Sequence, residues 1–317
     1  MSLIEVLDLH KTYGSTAAVD GLTLSVDEGE VVGILGPNGS GKTTTVECVA
    51  GLRRPDGGSV RVAGLNPTSD RRALTRLLGV QLQHAGLQAK LTAREALALY
   101  ASFYESPVDG ADLADRLGIG HKLDERYENL SGGQKQRLAI ALALVGKPRI
   151  AVLDELTTGL DPRARRGVWE VIEDVRDGGT TVVLVTHFME EAQRLCDRLV
   201  IVAAGRIVAE GSPRDIIGRT GTPTTMSFLP STPLSERDLV AIPGVTDVHA
   251  RANGHLDLHL TDPAVLDVLE FLSRHGVIPN GLRVEDSTLD DAFLNLTDTD
   301  TASTVPDREL VTDREES

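Results

Sequence analysis

Three short stretches of the chain are apolar at nearly every position: Val31–Leu35 (VVGIL), Ile150–Asp154 (IAVLD) and Thr181–Thr186 (TVVLVT). Such runs predict strands covered on both faces, as in a parallel sheet flanked by helices. Asp20–Glu30 (DGLTLSVDEGE) alternates apolar with polar positions and predicts a half-exposed antiparallel strand. From about Leu91 to Val145 the pattern becomes helical, as in Leu91–Tyr104 (LTAREALALYASFY). The first two thirds of the chain therefore read as an α/β core with an α-rich insert between its two parts.

After about Arg214 the texture changes. Thr220–Pro233 (TGTPTTMSFLPSTP) is rich in Thr and Pro and reads as a linker around one strand. Two short strands about Asn253-Gly254 predict a hairpin. Asp262-Pro263 predicts the start of a helix to Arg274, with Gly276 beyond its end. Leu282–Glu285 predicts a strand and Leu289–Leu296 a last short helix, together a small α+β domain. His255, Asp257 and His259 share one strand face opposite Leu256, Leu258 and Leu260, which is the solvated face of a strand sooner than a zinc site. Asp298–Ser317 carries seven acids against two arginines and few apolar residues, and reads as a disordered acidic tail.

Composition removes several classes of function. The chain has 317 residues, 41% hydrophobic and 25% charged, as soluble globular proteins do. No run approaches the ~20 apolar residues of a membrane span. The N-terminus MSLIEVLDLHK lacks a basic region before an apolar one, so a cytoplasmic location is expected. A net charge of −15 argues against a general nucleic-acid partner, and 3% aromatics against a single-strand stacking platform. Cys48 and Cys196 lie far apart in apolar settings and read as buried reduced thiols.

Gly36–Thr44 (GPNGSGKTT) follows the VVGIL strand and matches G-x-x-x-x-G-K-[ST], with a helix expected from Thr43 to about Ala50. In such a loop, here Gly36, Pro37, Asn38, Gly39, Ser40 and Gly41, the glycines let backbone N–H groups turn towards phosphates, and the helix start at Thr43-Thr44 adds positive potential. Lys42 reaches the β- and γ-phosphates, and the Thr43 hydroxyl can bind Mg²⁺. Downstream, Leu153–Pro162 (LDELTTGLDP) sets Asp154 and Glu155 side by side, where two acids repel. A metal offsets that repulsion. Asp154, ending a buried strand, is placed to hold Mg²⁺, and Glu155 to polarise a water for attack on the γ-phosphate.

Leu130–Arg137 (LSGGQKQR) narrows the class. With the two motifs above, the chain resembles ATP-binding cassette (ABC) proteins from roughly Leu3 to Pro213. The resemblance implies a phosphate-loop NTPase cassette with an α-helical subdomain and an antiparallel β subdomain. It implies ATP and Mg²⁺ as cofactors and a head-to-tail homodimer. In that dimer Ser131, Gly132, Gly133 and Gln134 of one copy close over ATP on the other. Ser131 itself reads as a helix N-cap. Tyr13 resembles the aromatic that stacks on adenine. Gln83 fits the glutamine that touches Mg²⁺ and water and relays closure to the membrane partner, with Gln81 its near competitor. Asp161 fits the loop that crosses the dimer interface, and His187 the switch histidine near the γ-phosphate. Leu156 departs from the family's usual proline and is expected to loosen the turn.

The C-terminal layout, best at Leu289–Thr297, resembles the extension of daunorubicin-resistance-type drug-exporter ATPases. The expected organisation is a nucleotide-binding domain over residues 1–215, with the helical subdomain at about 84–146, then an accessory α+β domain over 216–297 and the tail over 298–317. The resemblance implies an ATPase driving a separately encoded integral-membrane permease, peripheral on the cytoplasmic face of the membrane, for drug or other hydrophobic export. An importer ATPase and a non-transport ABC ATPase are the alternatives. The helix-containing extension weighs against the first, and a single phosphate loop with a single signature against the second.

Overall fold

In the computed structural model, the described residues are 2–82, 86–219, 224–261, 263–285 and 288–301. The chain begins with β1 (Ser2–Tyr13), β2 (Thr16–Asp27), β3 (Val31–Leu35), α1 (Lys42–Val49), β4 (Gly57–Val62), α2 (Arg71–Leu74) and β5 (Leu78–Gln81). The helices α3 (Ala93–Ala101), α4 (Gly110–Arg116) and α5 (Gly132–Leu144) follow. Then come β6 (Ile150–Asp154), α6 (Pro162–Asp177), β7 (Thr181–Val185), α7 (Met189–Leu195), β8 (Arg198–Ala203), β9 (Arg206–Gly211) and α8 (Pro213–Arg219). The remainder is β10 (Thr224–Pro230), α9 (Glu236–Val240), β11 (Val245–Ala250), β12 (Leu256–Leu260), α10 (Ala264–Arg274), β13 (Pro279–Glu285) and α11 (Leu289–Thr301).

The chain divides into two compact units, Met1–Pro213 with Leu296–Ser317, and Arg214–Asn295. In the first, a six-stranded sheet runs β5-β6-β7-β3-β8-β9, parallel except for β9. Every residue of β3, β6 and β7 is buried, the signature of strands covered on both faces. A second sheet, β2-β1-β4, is antiparallel, and its alternating residues such as Leu22, Leu24 and Val26 enter the core. That core joins Ile4, Val6 and Leu9 to Val46 and Val49 of α1 and to Val32, Ile34, Val152 and Val183 of the large sheet. Cys48 and Cys196 are both buried and free, and burial pushes the Cys48 thiol up to about 11.

The helical stretch holds three α-helices and two short 3-10 turns, and the first helix begins at Ala93. Thr92 and Glu95 form a capping box at α3, and Asp109 caps α4 through the amides of Ala111 and Asp112. Two caps in so short a span divide the segment.

The second unit is a four-stranded antiparallel sheet, β11-β12-β10-β13, with a core of Met226, Phe228, Leu258, Leu260, Leu239, Val268 and Leu272. The strand expected within Thr220–Pro233 is β10, which lies inside the sheet between β12 and β13, with Phe228 fully buried. Its Thr and Pro content hid three inward positions. Asp257 bonds the Ser227 hydroxyl and the Arg251 guanidinium, so the β12 polar face is a side-chain network. Among the described residues no group of three His, Cys, Asp or Glu is placed to hold a metal ion. The last helix extends five residues past the expected Leu296, to Thr301. Asp262 and the tail beyond Thr301 lie outside the described residues.

Candidate functional site

Strand register assembles the site. Ile34 of β3 and Asp154 of β6 both pair with Val185 of β7. The chain segments leaving these strands, at Gly36, Glu155 and His187, therefore emerge together at the carboxyl edge of the sheet. That edge is where open α/β sheets bind ligands.

The loop from Gly36 to Gly41 is tightly enclosed. A Cβ at Gly36 would stand 2.1 Å from the Val202 carbonyl oxygen. Gly41 has φ 103°, and a Cβ there would stand 2.2 Å from the Ala18 carbonyl oxygen, so only glycine fits. Pro37, Asn38 and Gly39 form the exposed crest, and the Ser40 carbonyl accepts from the Gly205 amide at 3.0 Å. Ser40 Oγ is buried with no hydrogen-bond partner among the described residues. Gly41 is the N-cap of α1 and has no side chain to bond the first-turn amides, which leaves the helix start suited to an anion. Lys42 is buried, and its ammonium donates to the carbonyls of Gly36 (2.8 Å) and Pro37 (2.9 Å). Burial holds it below the usual lysine range, while Asp154 and Glu155 oppose the shift. Thr44 is half-buried on the first turn.

Asp154 is 1% exposed. Its Oδ2 accepts from the Thr43 hydroxyl at 3.2 Å, and Oδ1 has no hydrogen-bond partner among the described residues. Burial pushes this carboxyl from 3.8 up to about 6, against the Thr43 hydroxyl, with Glu155 adding to the rise. A buried acid with one unbonded oxygen beside a threonine hydroxyl suits a hard divalent cation.

Glu155 answers how the acid pair coexists. Its φ of 51° is left-handed, a conformation costing a non-glycine residue about 1–3 kcal/mol. The turn is held by its amide, which donates to Val185 O (2.8 Å), and by its carbonyl, which accepts from Gln136 Nε2 (2.9 Å). The two carboxylates consequently meet different partners: Asp154 faces Thr43, and Glu155 Oε1 lies 3.5 Å from His187 Nδ1. Leu156, in the place of the family proline, is completely buried, so this side chain anchors the turn in the core. Asp161 caps α6, accepting from the amides of Arg163 and Ala164 at 3.0 Å each. The Ala164 amide leads the bonds that hold its carboxyl below the usual range.

Ser131 and Gln134 form a reciprocal capping box at α5. The turn packs on the acidic loop: a Cβ at Gly133 would meet Leu160 Cδ2 at 3.0 Å. Among the described residues no hydrogen bond joins Ser131, Gly132, Gly133 or Gln134 to Gly36–Thr44 within one chain. Tyr13 ends β1, half-exposed, with the Arg53 guanidinium 5.1 Å and the Lys11 ammonium 5.8 Å from its ring centre. The next strand's Ala18 meets Gly41, so this hairpin stands beside the loop. Gln83 lies outside the described residues; Gln81 ends β5, buried, with its Nε2 donating to Leu82 O. Gln136 was not singled out from sequence, because nothing local marks a helix residue that bonds a carbonyl nineteen positions away.

Fold and site together define a phosphate-loop NTPase cassette of the α/β class. The ABC transporter family profile matches residues 19–158. The chain is 38% identical over 303 residues to the daunorubicin/doxorubicin resistance ATP-binding protein DrrA of Streptomyces peucetius, covering 93% of this chain and 92% of that one. It is 40% identical over 222 residues to the Nod factor export ATP-binding protein I of Rhizobium etli, covering 68% and 70%. Among solved structures, an ATP-binding subunit of an ABC transporter aligns with TM-score 0.64 at 30% identity over 69% of this chain and 94% of that one. A dimeric ATP-binding cassette in a post-hydrolysis state with ADP and Pi aligns with TM-score 0.59 at 28% identity, over 66% and 98%. This chain belongs to the ATP-binding proteins of the ABC transporter family. Members of that family bind and hydrolyse ATP. Among the described residues, no helix is long and apolar enough to cross a membrane.

Proposed function

We propose that this chain is the ATP-hydrolysing subunit of an exporter, driving a separately encoded integral-membrane permease from the cytoplasmic face of the membrane. The observation that carries the reading is the convergence of Lys42, Asp154, Glu155 and His187 at one sheet edge. The drug-resistance relatives, which match over nearly the whole chain, favour export of a drug or other hydrophobic compound. The Nod factor relative aligns over a length close to that of the cassette alone.

ATP is held by backbone amides of Asn38–Gly41 in the loop opened by Gly36 and Pro37, by Lys42 released from its loop carbonyls, and by Thr43 and Thr44, with Tyr13 against the base. Thr43 Oγ1 and the unbonded Oδ1 of Asp154 would hold Mg²⁺. Held by these residues, the cation would supply charge neutralisation for the phosphates. Glu155 then accepts a hydrogen bond from the attacking water, and His187 holds the γ-phosphate side of the site against it. Two copies form a head-to-tail dimer, in which the Ser131–Gln134 turn of one copy covers the nucleotide of the other, and Asp161 lies at the junction. The lack of a bond between that turn and the phosphate loop within one chain supports this arrangement, as do the dimeric cassettes among the structural relatives.

Glu155→Gln tests the reading. Turnover should fall by roughly 10²–10⁴-fold with ATP binding intact, and ATP should shift the variant to a dimer on size exclusion. A monomer hydrolysing at the wild-type rate overturns it. Reconstitution with the permease in vesicles should give ATP-dependent movement of a hydrophobic substrate, and ATP turnover that never responds to the permease overturns the exporter role.

A further inference from the structure

His187 lies in the short link between β7 and α7, with its ring against that of Phe188. Arg165 lies on α6, one turn after Asp161, and its amide donates to the Asp161 carbonyl at 2.9 Å. Its guanidinium sits over Phe188, 4.5 Å from the ring centre. The Phe188 ring centre is 4.2 Å from that of His187, and His187 Nδ1 is 3.5 Å from Glu155 Oε1. The Arg165 side chain is only 23% exposed, and its Nε is buried with no hydrogen-bond partner among the described residues. Its one ion pair among the described residues is long, 3.9 Å to Glu190, whose side chain is 74% exposed.

An arginine so placed is expensive, since burying an unbonded guanidinium N–H is unfavourable and a leucine would cover Phe188 without that cost. What leucine cannot supply is electrostatic attraction to an aromatic face. The helices beneath are tied separately: Trp169 Nε1 donates to Glu191 Oε1 at 3.0 Å, and Arg194 bonds Glu173 at 2.8 and 3.0 Å. Arg165 is thus not needed to hold α6 to α7, and its contact is directed at the residue beside His187.

We propose that Arg165 is a positioning residue for ATP hydrolysis: through Phe188 it fixes the His187 ring beside Glu155, and through one helical turn it links that ring to the Asp161 loop. The inference rests on the roles given above to Glu155 and His187. It assigns Arg165 to the chemical step and not to nucleotide binding.

The test is steady-state ATP turnover and binding of a fluorescent ATP analogue by the full chain. Arg165→Leu, Arg165→Lys, Phe188→Leu and the Arg165→Leu/Phe188→Leu pair are compared, with Glu155→Gln alongside. Arg165→Leu should lower kcat by roughly tenfold to a hundredfold while KM and analogue binding stay at wild-type values. Arg165→Lys should recover most of the rate, because an ammonium also rests on an aromatic face. The double variant should be no slower than Phe188→Leu alone. An unchanged kcat, a raised KM with kcat untouched, or losses that multiply in the double variant overturn the proposal. If Arg165→Leu does not fold, Arg165→Gln replaces it under the same criteria. Wild-type turnover by Glu155→Gln would instead remove the reading beneath, and the proposal with it.

Discussion

His187 Nδ1 stands 3.5 Å from Glu155 Oε1, although thirty-two residues separate them and each follows a different strand. Two features create the approach. Asp154 and Val185 are paired in register, and the left-handed backbone of Glu155 turns its side chain away from Asp154. One carboxylate thereby meets the Thr43 hydroxyl and the other the His187 ring.

His187→Ala should lower ATP turnover by roughly 10²-fold or more while leaving nucleotide affinity within a small factor of wild type. The side chain is 44% exposed, so the melting temperature should barely move. Turnover assays with calorimetric ATP binding check both, and a large loss of affinity would reassign His187 to nucleotide binding.

Asp154→Asn should stabilise the nucleotide-free protein at neutral pH while abolishing Mg²⁺-dependent turnover. The folded-state value, about 6, lies above the ordinary 3.8, so the folded chain holds this proton more tightly than the unfolded one. The group's favourable contribution is full below about pH 4 and is lost as pH rises through 6. The variant, which never ionises, should therefore gain about 1–3 kcal/mol over wild type at pH 7 and little at pH 4. Denaturant melts at the two pH values check it.

Trp169→Phe should destabilise the cassette by about 1–3 kcal/mol. Glu191 is fully buried, and its Oε2 already lacks a hydrogen-bond partner among the described residues. Removing the indole N–H leaves the buried carboxyl with neither oxygen bonded. Glu191→Met in the Trp169→Phe background should restore most of the loss, because both polar partners are then gone. Urea melts of the single and double variants decide.

Phe228→Ala should cost the C-terminal unit about 3–5 kcal/mol. Phe228 is fully buried in a core of its own with Met226, Leu258 and Val268. ATP-analogue binding should persist, since the phosphate loop belongs to the other core. Hydrogen exchange should show lost protection confined to Arg214–Asn295.

The sequence by itself determined the strands of the central sheet, because β3, β6 and β7 are buried on both faces and a doubly covered strand must be apolar throughout. It also determined the phosphate loop, the Ser131 cap and the family, since these are local arrangements in which a few adjacent residues do the whole job. It placed a strand at β10 but not its central position, since Thr and Pro residues mask the inward Thr224, Met226 and Phe228, and it ended the last helix too early. Only the tertiary structure decided that Asp154 leaves one oxygen unbonded, that Gln136 holds the Glu155 carbonyl, and that Arg165 reaches Phe188. The physical reason is common to all three. Each depends on strand register and helix packing between segments far apart in the chain, and burial and hydrogen-bond satisfaction are properties of that packing, which no local pattern encodes.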